Sequence, residues 1–220
     1  MFVKDKLLEM FQKSLNIFNY LFTSNLNENK YLKKKFVTHQ NLTVFDIGAH
    51  VGTTAILLSL MYPKMQIHSF EPSPVNFQYL QHNVNTLGLQ NRISVYNKAV
   101  SMKDESFEFE HAPDDSTSSR AVRLGKTYGN APKQTFSVTT YPIMKFVEDH
   151  EDINFVKLDC EGCEFELLPM INKIYEKSPD CHFAGEFHAR QLASLPTSLV
   201  DNTRNAMCKF SNRYVQYLAC

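Results

Sequence analysis

Asp46, Gly48 and Gly52 lie within the run Leu42-Thr43-Val44-Phe45-Asp46-Ile47-Gly48-Ala49-His50-Val51-Gly52, and Glu71 closes a second apolar run further on. An apolar run ending in a carboxylate, then a glycine-bearing turn, then the helical spacing of Thr53 to Tyr62, reads as strand, turn and helix. Glycine at 48 and 52 permits a sharp turn and close approach to a ligand, and the first turn of a helix presents N–H groups without intrahelical partners. Glu71 leaves the tip of a neighbouring strand, Met65 to Phe70, where a carboxylate accepts both hydroxyl hydrogens of a ribose. The chemistry these residues could do is to hold an adenosine-containing cofactor. The plainer reading makes the glycines turn formers and Glu71, before Pro72, a solvated strand end.

Spacing separates one cofactor from another. A dinucleotide turn reads G-x-G-x-x-G and seats a pyrophosphate on the helix N-terminus, whereas this one reads D-x-G-x-x-x-G. Asp46 repels a pyrophosphate and suits an ammonium group, directly or through water, which favours the methionine end of S-adenosylmethionine (SAM) over NAD.

The set VFDIGAHVGTT, FEPSP, NKAV, VKLDCEGCEFELL and GEFH, spread in order over residues 42 to 188, resembles the FkbM family of class I SAM-dependent methyltransferases. The resemblance implies an α/β, Rossmann-like class I methyltransferase sheet with helices on both faces, SAM as cofactor, and O-methylation of a sugar or glycan hydroxyl. It implies cofactor contacts at Asp46, Gly48, Ala49, Gly52, Glu71, Asn97 and Asp159, and catalysis by His188 with Glu186, Asp159 and Glu161. The chain departs from the family pattern at His50, where asparagine is common, and at Cys160 and Cys163, where smaller or apolar residues are usual.

In an open parallel sheet, ligands bind at the carboxyl ends of the strands, which collects Asp46, Glu71, Asn97, Asp159, Glu161, Glu186 and His188 at one rim. Carboxylates so crowded repel unless they share protons, pair with a cation such as Lys157, or hold a metal. Lys157 stands in an otherwise apolar strand and so calls for a carboxylate partner. Methyl transfer to oxygen needs an aligned hydroxyl and a base to take its proton. His188, of ordinary pKa about 6.5, is the natural base, and Glu186 two residues back shares its side of a strand. Asp159 and Glu161 then orient the hydroxyl or contact the methionine portion. The plainer role for His188 is to cap a strand end. Mg²⁺ or Mn²⁺ is a variant that carboxylates with one imidazole allow, with no ligand set assigned.

These residues must be positioned by alternating strands and helices, hence a parallel sheet. Ser73 caps a helix whose Phe77, Leu80, Val84 and Leu87 share a face, with Gly88 at its end. Strands follow over Arg92 to Tyr96, Asn154 to Leu158 and His182 to Phe187, with Val215 to Leu218 as a last edge strand. Ser106 to Glu110 and Gln134 to Thr139 alternate as strands do. Helices are expected over Tyr141 to His150 and Glu164 to Lys177. Residues 112–133, rich in Ser, Asp, Gly and Pro, form either a lid over the substrate or a plain surface loop. Leu7, Leu8, Phe11, Leu15, Phe18 and Phe22 make one apolar helical stripe. That amphipathic helix covers the sheet edge or cofactor site, or else serves a dimer, a partner domain or a membrane surface. Residues 1–40 are read as an N-terminal helical extension and 41–220 as the methyltransferase domain.

The 220 residues, 43% hydrophobic, suffice for one domain with a sizeable core. Lys plus Arg and Asp plus Glu both number 23, so no overall basic field favours nucleic acid, and a small-molecule or glycan acceptor fits better. No apolar run reaches membrane-spanning length, and Lys4, Asp5, Lys6 and Glu9 interrupt any leader, which points to the cytoplasm. Five cysteines argue against a disulfide framework and for reduced thiols; Cys160 and Cys163 form a C-x-x-C, for which a redox or zinc role is the alternative to Cys163 filling a small-residue position. Two other functions stay open: a nucleotide-dependent oxidoreductase, and a non-catalytic SAM-binding module.

Overall fold

The computed structural model describes residues 42–113, 119–122, 132–186, 197–198 and 214–217, with Glu186 and 214–217 given as backbone. In chain order the elements are β1 (Leu42–Ile47), α1 (Thr53–Met61), β2 (Met65–Phe70), α2 (Pro74–Thr86), β3 (Ile93–Tyr96), β4 (Ala99–Ser101) and β5 (Ser106–His111). There follow β6 (Arg120–Ala121), β7 (Gln134–Pro142), α3 (Ile143–Asp149), β8 (Ile153–Leu158), a 3₁₀ turn (Cys163–Phe165), α4 (Leu168–Lys177), β9 (His182–Glu186) and β10 (Tyr214–Tyr217).

The main sheet has the order β10-β9-β8-β1-β2-β3, and every neighbouring pair in it is parallel. β1 and β8 lie at its centre, and β8 is buried at all six positions, as strands covered on both faces must be. Along β1 the side chains alternate. Leu42 and Val44 join Ala55 and Leu58 of α1 and Leu80 and Val84 of α2 in one cluster. Phe45 and Ile47 join Ile143, Phe146 and Val147 of α3 and Ile171 and Ile174 of α4 in another. Helices therefore cover both faces, and each such buried Val, Leu, Ile or Phe side chain contributes about 1.5–3 kcal/mol relative to staying exposed.

A second, four-stranded sheet of order β4-β7-β5-β6 was not anticipated. β5 pairs antiparallel with both β7 and β6, while β4 pairs parallel with β7. This sheet stands beside the carboxyl rim of the main one. Ser73, just after β2, bonds His111 of β5 through Oγ and Nδ1 at 3.1 Å.

Several expectations are corrected. The helix expected from Tyr141 begins at Ile143, because β7 runs on through Pro142 to pair with β4. The helix expected over Glu164 to Lys177 is broken into the 3₁₀ turn and α4, with Pro169, which lacks an amide hydrogen, in the first turn of α4. Leu87 is 51% exposed rather than on the buried face of α2, since it is the C-cap residue. Within 112–133, Arg120 and Ala121 form a strand; most of that stretch, and with it the lid reading, lies outside the described residues. So do the N-terminal extension, its amphipathic helix and His188. Among the described residues no helix is long and apolar enough to cross a membrane.

Candidate functional site

The turn after β1 is stitched to the end of β2. Gly48 N–H and Ala49 N–H both donate to the Phe70 carbonyl, at 3.0 and 2.9 Å, and His50 N–H donates to Glu71 Oε2 at 2.8 Å. Gly48 and Gly52 have φ of 81° and 88°, and His50 has φ of 52°. Histidine is among the non-glycine residues enriched in left-handed backbone, which suits His50 to this φ. A Cβ at Gly48 would lie 1.8 Å from the Asp159 carbonyl oxygen, so the glycine lets the β1 turn meet the end of β8. At Gly52 the obstacle would be Leu80 of α2, at 2.5 Å. Ala49 packs into the α1–α2 cluster.

Lys157 lies opposite Asp46 in the parallel register of β1 and β8. Its Nζ sits 3.1 Å from Asp46 Oδ1 and 3.9 Å from Asp159 Oδ2, and donates to the Gly48 carbonyl at 2.6 Å. Burial works to lower the Lys157 pKa, but the Asp46 and Asp159 carboxylates outweigh it and the net shift is upward. The lysine thus has the carboxylate partner its sequence position calls for. Asp46 Oδ2 is buried and accepts no hydrogen bond from the described residues.

Glu71 is 4% exposed and fixed by main-chain donors on both oxygens: His50 N–H on Oε2, and Ser73 N–H on Oε1 at 2.9 Å. Burial pushes its carboxyl up to about 7, against the opposing pull of those hydrogen bonds. It is an enclosed, oriented carboxylate and not a solvated strand end. Asn97, after β3, donates through Nδ2 to the carbonyls of Glu71 and Pro72 at 2.9 and 3.2 Å, and so braces the segment that carries Glu71.

After β8 the chain carries Asp159, Cys160, Glu161, Gly162 and Cys163 into the 3₁₀ turn. Glu161 and Gly162 have φ of 55° and 110°. His50 and Glu161 are the two non-glycine residues with positive φ in the described chain, and both stand just beyond central strands, where strained backbone accompanies function. Glu164, fully buried, accepts from Cys160 N–H at 2.9 Å. Cys160 and Cys163 are joined by a disulfide, which corrects the expectation of reduced thiols. The positive φ at Glu161 and Gly162 turns the chain back so that the two sulfurs meet.

Glu161 meets a residue that sequence reasoning missed. Arg120 Nη2, on β6, lies 2.7 Å from Glu161 Oε2, with the arginine side chain 2% exposed. Four rim carboxylates are therefore compensated: Asp46 and Asp159 share Lys157, Glu161 faces Arg120, and Glu71 accepts from main-chain N–H groups and Asn76 Nδ2. Among the described residues no group of three or more His, Cys, Asp or Glu side chains could hold a metal ion. Glu186 ends β9 one step past the Leu158–Gly185 pair, level with Asp159 by register.

Between the rim and the second sheet runs a cleft lined by Ile47, Gly48, Phe70, Pro72 and Cys160 on one side and Ala99, Val100, Phe107, Phe109 and Ala121 on the other, with Lys98 and Cys163 completing it. It is mainly apolar and opens at the tips of β1, β2 and β8.

A family model described as the methyltransferase FkbM domain matches residues 46–210. The chain belongs to the FkbM methyltransferase family. It is 33% identical over 95 residues to ribosomal RNA small subunit methyltransferase G of Campylobacter hominis, covering 43% of this chain and 51% of that protein. It is 31% identical over 64 residues to the 31-O-demethyl-FK506 methyltransferase FkbM of Streptomyces tacrolimicus, covering 29% of this chain and 25% of the relative. The chain thus spans about half or less of the curated relatives it matches. In fold it is similar to the crystal structure of methyltransferase FkbM from Methylobacillus flagellatus, with a TM-score of 0.50 at 17% identity, covering 78% of this chain and 39% of that one.

Proposed function

We propose that this chain is a SAM-dependent O-methyltransferase that methylates a hydroxyl of a sugar or glycan, with residues 41–220 as its methyltransferase domain. The observation that carries the reading is Glu71, held by two main-chain N–H groups at the tip of β2 beside the Asp46–Gly52 turn, in a chain whose family is methyltransferase FkbM. The residues fit the cofactor. Glu71 Oε1 accepts from Ser73 N–H and Asn76 Nδ2, while Oε2, which accepts from His50 N–H, keeps acceptor capacity for a ribose hydroxyl, and Asp46 Oδ2, with no hydrogen-bond donor among the described residues, is a buried acceptor at the methionine end. Gly48, Ala49 and Gly52 shape the turn, Asn97 braces Glu71, and Asp159 closes the site from β8.

When bound, SAM supplies a methyl on a sulfonium that leaves as a neutral thioether. The protein's part is to align the acceptor hydroxyl and to take its proton as the new O–CH₃ bond forms and the S–CH₃ bond breaks. His188 is assigned as that base and Glu186 as its partner, with Asp159 orienting the hydroxyl. Glu161 is better read as an anchor than as a contact to the hydroxyl, because Arg120 occupies its Oε2. The balance of 23 basic and 23 acidic residues favours such an acceptor over nucleic acid. A cytoplasmic location and a dimer or partner contact through the N-terminal helix complete the reading.

Calorimetry with S-adenosylhomocysteine (SAH), SAM and NAD tests the cofactor; stabilisation by NAD alone would turn the reading to an oxidoreductase. Transfer of isotopically labelled methyl from SAM to carbohydrate acceptors tests the reaction. Binding without transfer to any acceptor would favour a non-catalytic module, full turnover by His188→Ala would remove the base, and loss of turnover with a chelator would favour the Mg²⁺ or Mn²⁺ variant.

A further inference from the structure

Arg120 belongs to the second sheet, and Glu161 to the loop that leaves the centre of the first. β6 is only two residues long, and its backbone pairs Arg120 with Glu110 and Ala121 with Phe109 of β5. The next residue, Ala121, lines the cleft on one side, and Cys160 and Cys163, which bracket Glu161, line it on the other. The Arg120–Glu161 contact therefore bridges the two walls.

A guanidinium with only 2% of its side chain exposed is retained against a large desolvation cost when a carboxylate faces it in good geometry. Glu161 is held in left-handed backbone with φ of 55°, a conformation that persists when the surroundings enforce it. The disulfide and the buried Glu164 hold the ends of the loop. Arg120 holds its apex. The same loop begins at Asp159, whose carbonyl abuts Gly48 and whose carboxylate shares Lys157 with Asp46. Any drift of the apex is thus delivered to the Asp46–Gly48 turn.

We propose that Arg120 is a positioning residue: through Glu161 it holds the Asp159–Cys163 loop in register with the Asp46–Gly48 turn and so sets the affinity for the methyl donor. The proposal rests on the SAM-binding reading above. It assigns the second sheet the task of clamping the cofactor loop, beyond walling the cleft.

The test is a double-mutant cycle on the whole chain, read by SAH affinity in calorimetry and by melting temperature. Arg120→Gln and Glu161→Gln should each weaken SAH binding at least tenfold. The double variant should be no weaker than the poorer single one, because the two residues act as one unit. Arg120→Lys, which keeps the charge but not the fork, should bind with intermediate affinity, and exchanging the pair as R120E/E161R should recover part of the loss. If Arg120→Gln fails to fold, Arg120→Lys, Glu161→Gln and their combination carry the cycle. Equal SAH affinity in wild type and the single variants, or losses that multiply in the double variant, would overturn the proposal. A wild-type chain that binds neither SAM nor SAH would instead overturn the cofactor reading beneath it.

Discussion

Lys157 Nζ stands 3.1 Å from Asp46 Oδ1 while donating a 2.6 Å hydrogen bond to the Gly48 carbonyl, so one buried ammonium fixes both the carboxylate before the turn and the backbone inside it. Lys157→Met keeps an unbranched apolar stem one atom shorter and removes the charge, leaving Asp46 buried without its lysine. Breaking a buried pair from one side costs about 3–5 kcal/mol, and the loss should appear in the urea midpoint. Asp46→Asn with Lys157→Met should lose less than the two single losses combined. A Lys157→Met protein within about 1 kcal/mol of wild type would mean that the pair does not hold the turn.

Gly48→Ala and Gly88→Ala make a matched comparison. Both glycines have positive φ, at 81° and 65°, but a Cβ at Gly48 would strike the Asp159 carbonyl at 1.8 Å while one at Gly88 meets nothing within 4 Å. The Gly88 variant should lose only the left-handed penalty, about 1–2 kcal/mol. Gly48→Ala must also displace backbone in β8's exit loop, so it should fold markedly less stably, with SAH binding lost. Similar thermal melts for the two variants would contradict the close approach of the turn to β8.

The Cys160–Cys163 bond makes a statement that peptide mapping reads directly. The tryptic peptide 158–173 should take no alkyl label when the unreduced protein is unfolded, and two labels after reduction. Because the bridged cysteines are only 3 apart in sequence, chain entropy assigns the bond a modest stabilisation of about 2 kcal/mol. Cys160→Ala with Cys163→Ala should lower stability by about that amount. Two labels without any reductant would return both cysteines to the thiol state.

The turn after β1 was legible because aspartate, glycine and helix onset each carry a local backbone signal at that spacing. That Lys157 needs a carboxylate was legible too, since an apolar strand offers a lysine nothing else; which carboxylate follows from the pairing of Asp46 with Lys157 across β1 and β8. Arg120 carried no such signal. Two residues in a polar stretch show no periodicity, and their strand exists through pairing with Phe109 and Glu110. At Tyr141 the apolar spacing of Ile143, Phe146 and Val147 announced a helix, while pairing between β7 and β4 decided where it begins. The C-x-x-C spacing of Cys160 and Cys163 was a local signal for their bond, but the odd count of five argued for thiols, and only the left-handed backbone at Glu161 and Gly162 shows the two residues brought together.

Glu71 and His68 should oppose each other in the pH dependence of stability. Burial raises Glu71 from 4.5 to about 7, so across that window the folded chain keeps a proton that the unfolded chain has released. Its contribution falls as pH rises, by about 1.4 kcal/mol per pH unit. Burial, with the charge of His150 second, lowers His68 from 6.5 to about 4; there the unfolded chain binds the extra proton and stability rises with pH. His111, pushed down by burial, acts in the same direction as His68. The two trends offset one another in wild type below about 6.5; above it His68 is neutral in both states and the Glu71 trend alone remains. Glu71→Gln should expose the histidine trend, with stability rising with pH, whereas His68→Asn should shift the balance to falling stability. Urea unfolding across the window reads both slopes, and a Glu71→Gln protein with the wild-type slope would sink the assignment. The same carboxyl gives the site a second signature: ribose hydroxyls donate best to ionised Glu71, so SAH binding should tighten as pH rises through about 7 and release a proton below it. Calorimetry in two buffers of different ionisation enthalpy measures that proton, and Glu71→Gln should abolish it.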